Sequence, residues 1–164
     1  MAKSKAKASG AIELLKEQHD KVKKAFKEFD KLDREDTETQ QQIVETVCED
    51  LKVHTTLEEE LFYPAAREAI DDEDLLNEAQ VEHETAKMLI EQLENMGPDD
   101  PNFRATFTVL GEYVLHHVKE EEGEMFPEVR KTDLDLEELG GRMRARMEEL
   151  MGHMEEEEKE ESKE

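Results

Sequence analysis

The chain has 164 residues, enough for one domain with a buried core. Its 46 acidic residues against 22 basic ones give a formal net charge of -24. This charge disfavours nucleic acids and anionic membranes as partners, because both require clustered positive charge. No uninterrupted apolar run follows the basic start MAKSKAK, so we predict neither a signal peptide nor a membrane span. The single cysteine, Cys48, is typical of a reducing compartment, and we expect a cytoplasmic protein.

The two ends of the chain are predicted to be disordered. Residues 1–10 are small and basic, and residues 155–164 form an acidic run with nothing to bury. Between them, apolar residues recur at intervals of three and four, which is typical of helices that bury one face. Four such runs are separated by the turn-forming linkers DREDTET, DDED and GPDDPN. The predicted fold class is therefore all-α, an antiparallel up-down-up-down four-helix bundle over residues 11–131.

Each of the four helices carries one histidine within its apolar stripe. In the second and fourth helices a glutamate follows one turn later on the same face, so both side chains of the pair can reach one point. The histidines, in chain order, are His19, His54, His83 and His117, and the glutamates are Glu58 and Glu121.

The linkers place these polar residues at one level of the bundle. In an antiparallel hairpin, two residues lie at the same depth when the turn falls midway between them. The midpoint of His19 and His54 falls in DREDTET, and the midpoint of His83 and His117 falls in GPDDPN. The midpoint of Glu58 and His83 falls beside DDED. All four helices therefore bring polar residues to the same depth.

The convergence of these residues favours a metal site over an ordinary core. A single histidine on an apolar stripe is more often a core residue bonded to a backbone carbonyl than a ligand. Four imidazoles and two carboxylates at one level are a different case, because burying them without a partner is costly. Imidazole with carboxylate suits iron, manganese or zinc. The sequence predicts two divalent transition metals, each held by two histidines and bridged by both glutamates.

The two halves of the chain repeat the same pattern. HTTLEEELFYP begins at His54, and the similar stretch HVKEEEGEMFP begins at His117. Moving the sequence by 63 residues therefore aligns these two motifs, and moving it by 64 residues aligns His19 with His83. We interpret the halves as two helical hairpins that face each other across a pseudo-twofold axis. His117 is chosen over His116 because only His117 stands ten residues before its proline, as His54 does.

The order His, His-x-x-x-Glu, His, His-x-x-x-Glu, with LFYP and MFP closing the two motifs, resembles the hemerythrin-like (HHE cation-binding) domain over roughly residues 10–131. The resemblance implies a bundle with a non-haem di-iron centre and an oxo or hydroxo bridge; manganese and zinc are less favoured. The ferritin-like class needs Glu-x-x-His, and no histidine here has glutamate three residues earlier. The implied ligands are His19 and His54 for one iron, His83 and His117 for the other, and Glu58 with Glu121 as bridges.

Two neighbouring positions bear on the reactivity of this centre. Invertebrate oxygen-carrying hemerythrins have a fifth histidine where this chain has Ala79, with Gln80 beside it. Six protein ligands leave a more open site, which we expect to oxidise more readily and to store oxygen less well.

Tyr113 lies one turn before His117 and could contact a small ligand at the site, or it could lie at the edge with its hydroxyl in water.

Residues 134–154 are predicted to form an additional amphipathic C-terminal helix. A stripe of this kind usually packs on the body of its own protein. Methionine faces also bind partners, so a homodimer through this helix is the second interpretation. The stripe consists of Leu139, Met143, Met147, Leu150 and Met154.

Three functions are compatible with these features. The first is a bacterial-type di-iron protein that binds or reacts with dioxygen, peroxide or nitric oxide in sensing, storage or detoxification, and as an enzyme it would be a di-iron oxidoreductase. The second is an iron-handling or iron-sensing module in which metal occupancy controls folding. The third is a helical adaptor with a structural zinc, which has no redox chemistry.

The ligand assignment predicts the effect of glutamate replacements. Glu58→Ala or Glu121→Ala should lose most of the dinuclear metal because each removes a bridge. Glu120→Ala and Glu157→Ala should change the metal content little, since neither residue belongs to the predicted ligand set. Elemental analysis of the purified variants measures the metal content per chain. Full metal content in both the Glu58→Ala and the Glu121→Ala variant would contradict the assignment.

Overall fold

The structure is a computed structural model that describes residues 10–163, and every regular element in this range is a helix. The first hairpin consists of α1 (Ala11–Lys31), α2 (Thr37–Leu57), a π-helical turn (Glu58–Phe62) and α3 (Tyr63–Ala69). The second hairpin consists of α4 (Glu73–Glu94), α5 (Phe103–Glu120), a second π-helical turn (Glu121–Met125) and α6 (Phe126–Arg130). The last helix is α7 (Leu136–Ser162). The predicted all-α four-helix bundle with an additional C-terminal helix is confirmed.

Short polar side chains fix where several helices begin. Asp36, Asp72 and Asp135 each accept a hydrogen bond from the backbone N–H three residues later, at 3.2, 3.2 and 3.1 Å. Two of these aspartates belong to the linkers DREDTET and DDED, which therefore start helices as well as end them. Of the predicted disordered start at 1–10, only Gly10 is within the described range, and its carbonyl accepts the first bond of α1 from Leu14 at 3.0 Å.

The apolar core lies in two parts on either side of the histidine and glutamate level. One part includes Phe62 and Phe126, whose rings meet edge to face with centroids 5.5 Å apart. The other part includes Phe26, Phe29 and Phe107, with Phe107 4.8 and 4.5 Å from the other two rings. Along α1 and α4, His19 and His83 stand between the residues of one part and those of the other. The polar level is thus sealed from above and below.

Both predicted bridging glutamates begin a π-helical turn. The backbone N–H of Tyr63 bonds to the carbonyl of Glu58, and that of Phe126 bonds to the carbonyl of Glu121, so each bond spans five residues. A proline follows immediately in each half, and its missing N–H removes one ordinary helical bond. The wider turn brings residues five apart toward the same face, whereas in an α-helix they differ by about 140°.

The helix α7 packs on the bundle through the predicted stripe. Leu139 and Met143 are buried in the core part that contains Phe62, and Met147 packs partly buried against the same part. Arg146 of α7 donates two hydrogen bonds of 3.0 Å to the Glu60 carboxylate. None of the helices in the described range has the combined length and apolar composition of a membrane span.

The structure differs from the sequence prediction at the end of α7. The sequence predicts a helix that ends at 154 and a disordered tail after it, whereas in the structure the helix continues through this region to Ser162. Glutamate and lysine are strong helix formers, so an exposed acidic run can extend an established helix although it buries nothing.

The aromatic packing predicts a strong effect of core truncation. Phe107 is 1% exposed and contacts two other phenylalanine rings, so Phe107→Ala should lower the free energy of unfolding by about 3–5 kcal/mol. Val109 is on the same helix and is 38% exposed, so Val109→Ala should change the free energy of unfolding by less than about 0.5 kcal/mol. Urea unfolding followed by circular dichroism measures both. Equal losses in the two variants would argue against this packing.

Candidate metal centre

The six side chains predicted as metal ligands lie together in the middle of the bundle. Each is 8% exposed or less. Their ligand atoms form two groups, and within each group the atoms lie within 4.8 Å of one another. The first group is His19, His54, Glu58 and Glu121, and the second is Glu58, His83 and His117. Because Glu58 belongs to both groups, the two groups are adjacent parts of one centre.

Each glutamate contacts one histidine of each predicted pair. Oε1 of Glu58 lies 3.0 Å from Nε2 of His54 and 2.9 Å from Nε2 of His83. The Glu121 carboxylate uses both oxygens, and its Oε1 lies 3.2 Å from Nε2 of His19. Its Oε2 lies 3.1 Å from Nε2 of His117. A carboxylate that spans both histidine pairs is in the position that a bridge between two metals requires.

Several buried polar atoms at this centre have no hydrogen-bond partner. Nε2 of His19 and Oε1 of Glu121 are 3.2 Å apart, yet they are not aligned for a hydrogen bond. An unsatisfied buried polar group costs about 1–3 kcal/mol. Metal ions would satisfy all of these atoms at once, so the donor set fits the predicted metals. The unpartnered atoms of the centre are Nε2 of His19, Nε2 of His54, Oε2 of Glu58 and Oε1 of Glu121.

The two carboxylates attract positive charge to the centre. Burial alone would raise the pKa of Glu58, but the nearby charge of His54 and hydrogen bonding with His117 outweigh it, and the pKa lies well below its usual range. Burial alone would lower the pKa of His117, but Glu121 and Glu58 outweigh burial and raise it well above its usual range. The centre therefore favours bound positive charge, which protons on the imidazoles or metal ions can supply.

The outer nitrogen of each histidine also has a partner, and sequence reasoning missed all four partners. A metal-binding histidine usually donates its second N–H to an acceptor, which fixes the ring and leaves the inner nitrogen for the metal. The Nδ1 atoms of His19, His54, His83 and His117 lie 2.6, 2.7, 2.9 and 2.8 Å from oxygens of Glu122, Gln18, Glu59 and Glu82 respectively.

The repeat in the sequence could have identified these partners. Gln18 and Glu82 immediately precede histidines related by the shift of 64, and Glu59 and Glu122 immediately follow glutamates related by the shift of 63. In a chain with 46 acidic residues, however, an additional glutamate carries little signal by itself.

The hydroxyl of Tyr63 reaches the centre. Its oxygen donates a hydrogen bond of 2.6 Å to Oε2 of Glu121. The same oxygen lies 3.1 Å from Nε2 of His83 and 3.3 Å from Nε2 of His117. Tyr113, the tyrosine that the sequence pointed to, is 47% exposed and lies on the wall of a neighbouring cavity. An α-helical period places Tyr63 on a different face from Glu58, so only the π-helical turn explains its position.

A small apolar cavity adjoins the four histidines. Its volume is about 30 Å³. One water requires roughly 10–15 Å³, so this space holds a water or a diatomic molecule and is too small for an organic substrate. Its apolar lining consists of Val22, Leu51, Ala86, Val114 and Val118.

The remaining histidines lie on the surface. His116 is 61% exposed at its side chain and contacts Glu120 at 3.2 Å, and these two residues with Glu82 form a third, exposed group. His153 is 72% exposed at its side chain. Neither histidine belongs to the two buried groups, whereas His117 belongs to one of them.

A four-helix bundle whose core holds converging histidines and glutamates belongs to the class of metal-binding helical bundles. The family model of the hemerythrin HHE cation binding domain matches residues 10–129. The chain therefore belongs to the hemerythrin HHE cation-binding domain family, as its motifs predicted.

Two known proteins are similar to this chain. A protein from Nostoc sp. (strain PCC 7120) named DNA nickase is 29% identical over 120 residues, which cover 73% of this chain and 33% of that protein. The chain thus spans about one third of that relative. The crystal structure of a hemerythrin HHE cation binding domain-containing protein from Mycobacterium kansasii has a TM-score of 0.74 and 28% identity, and the match covers 88% of each chain. This coverage exceeds residues 10–129, so the similarity extends into the C-terminal region.

The outer hydrogen bonds predict a graded loss of metal affinity. Glu59→Ala removes the partner of His83 Nδ1 and should weaken metal binding about 10–100-fold, because the imidazole loses its fixed orientation. Glu60→Ala is the matched control, since Glu60 is the next residue and pairs with Arg146 on the surface. Competition titration with a chelator of known affinity measures both. Equal affinity in the two variants would show that the Glu59 contact does not position the ligand.

Proposed function

We propose that the chain is a non-haem di-iron protein whose centre reacts with a small oxidant, namely dioxygen, peroxide or nitric oxide, in sensing or detoxification. The observation that carries this proposal is the cavity of about 30 Å³ beside six buried ligands. A purely structural metal site needs no space beside its ligands. A site that admits a reactant needs space of about the reactant's size.

The donor set supports iron as the metal. Four imidazoles and two carboxylates match the preferences of iron, and six ligands for two metals leave positions open for an added molecule. When bound, two ferrous ions would supply the electrons that reduce the oxidant. Zinc suits the same donors but has no redox chemistry. Iron, in contrast, could react with an oxidant that enters the cavity.

The residues around the centre control what reaches it. Val22, Leu51 and Val114 exclude bulk water from the cavity and favour uncharged molecules. Tyr63 holds its hydroxyl proton against Glu121 on one side of the centre. The chain therefore selects reactants by size and polarity.

The activity named for the Nostoc relative is not part of this proposal. The chain spans one third of that protein, so the activity in its name need not belong to the part that this chain resembles. A net charge of -24 would repel the phosphate backbone of DNA.

One contact favours the alternative, an iron-sensing module. Gln18 accepts from Nδ1 of His54 at 2.7 Å, and its Nε2 donates to Sδ of Met147 at 3.5 Å. Gln18 therefore joins a predicted ligand directly to α7. In this alternative, metal occupancy orients His54 and Gln18 and so controls how firmly α7 packs on the bundle.

The decisive experiment follows the optical spectrum of protein loaded anaerobically with two ferrous ions per chain. Dioxygen is admitted and then removed, and peroxide and nitric oxide are added to separate samples. Zinc-loaded protein is the control and should remain without a visible band. A band that forms and persists is the expected result and means oxidation of the metal pair.

A band that disappears when dioxygen is removed would instead mean reversible binding, as in a carrier or sensor. No spectral response to any of the three reactants, with iron bound, would refute the proposal. If chelation then loosened α7, the iron-sensing alternative would replace it.

A further inference from the structure

We propose that Tyr63 is a seventh protein ligand of the centre, and that its phenolate oxygen binds the metal held by His83 and His117. The ligand set that the family resemblance implies does not include this residue, although Tyr63 lies in the LFYP motif. The inference rests on the metal centre of the proposed function and is independent of its reaction with oxidants.

The position of the Tyr63 oxygen is that of a ligand atom. Tyr63 is 5% exposed, and its oxygen lies 3.1, 3.3 and 2.6 Å from Nε2 of His83, Nε2 of His117 and Oε2 of Glu121. Ligands bind transition metals at about 2.1 Å, so two atoms at right angles around one ion are about 3 Å apart. The Tyr63 oxygen therefore lies from each of the three other atoms at about the spacing of neighbouring ligands around one ion.

When both imidazoles are neutral and carry their protons on Nδ1, as metal binding requires, hydrogen bonding alone does not account for this arrangement. A phenol has one proton to donate, and Tyr63 gives it to Glu121. If the Nδ1 atoms of His83 and His117 donate to Glu59 and Glu82, both Nε2 atoms present lone pairs toward the same phenol oxygen. A cation among these atoms turns their repulsion into attraction.

The two halves of the chain differ at this position. The shift of 63 places Phe126 opposite Tyr63, and a phenylalanine cannot bind metal. The Phe126 ring instead lies parallel to that of His19, with centroids 6.0 Å apart and planes inclined by 5°. The metal held by His19 and His54 therefore has one ligand fewer. We expect a small added ligand to bind at that metal.

The chain itself supplies the test. It has two tyrosines and no tryptophan, so its near-ultraviolet absorption reports on Tyr63 and Tyr113 alone. Zinc is titrated into the full-length apoprotein, and ultraviolet difference absorption measures tyrosinate formation. The same protein loaded with ferric ions is examined for a visible phenolate-to-iron band and for tyrosine vibrations in resonance Raman spectra.

The expected result is one tyrosinate per chain and a visible tyrosinate band in the wild type and in Tyr113→Phe, with both signals lost in Tyr63→Phe. Elemental analysis and circular dichroism establish that each variant is folded and binds metal. If Tyr63→Phe does not fold, the persistence of both signals in Tyr113→Phe still assigns them to Tyr63.

Two metals bound without tyrosinate signals, or signals that persist in Tyr63→Phe, would overturn the inference and leave the proposed function intact. Failure to bind metal at all would refute both.

Discussion

The burial of two carboxylates in the centre of a helical bundle is the constraint on which the rest of the structure depends. Glu58 and Glu121 are 0% and 1% exposed, and carboxylates this deeply buried are stable only beside compensating positive charge. Imidazoles from all four long helices of the bundle supply the contacts, and protons on these imidazoles or bound metal ions can supply the charge. The polar level also explains why the apolar core lies in two separate parts.

The duplicated sequence gives the two groups of predicted ligands the same framework but different surroundings. The outer partner of His54 is the neutral Gln18, whereas the matching partner of His117 is the carboxylate of Glu82. A carboxylate partner makes an imidazole a stronger donor than an amide partner does. The pseudo-symmetry therefore positions the predicted ligands, while its exceptions would make two metals bound there chemically unequal.

The sequence predicted the parts of the site that follow a regular helical period. Its intervals of three and four located the four histidines, and the linker midpoints placed them at one depth. It failed for Tyr63, because the wider turn after Glu58 changes the period, and a single sequence does not reveal where that happens. It failed for Glu59 because acidic residues are too frequent to stand out. It also misjudged the end of α7, where local helix propensity outweighs the absence of burial.

The centre has two unlike sides, and their difference determines which molecules can reach it. Tyr63, Phe62 and Phe126 close one side with packed aromatic rings. On the other side lies the cavity of about 30 Å³, with an apolar lining. Hydrogen peroxide loses hydrogen bonds to water on entering such a space, whereas dioxygen and nitric oxide lose almost none. Under the proposed function, this lining would favour the two diatomic gases over peroxide as reactants that enter from outside.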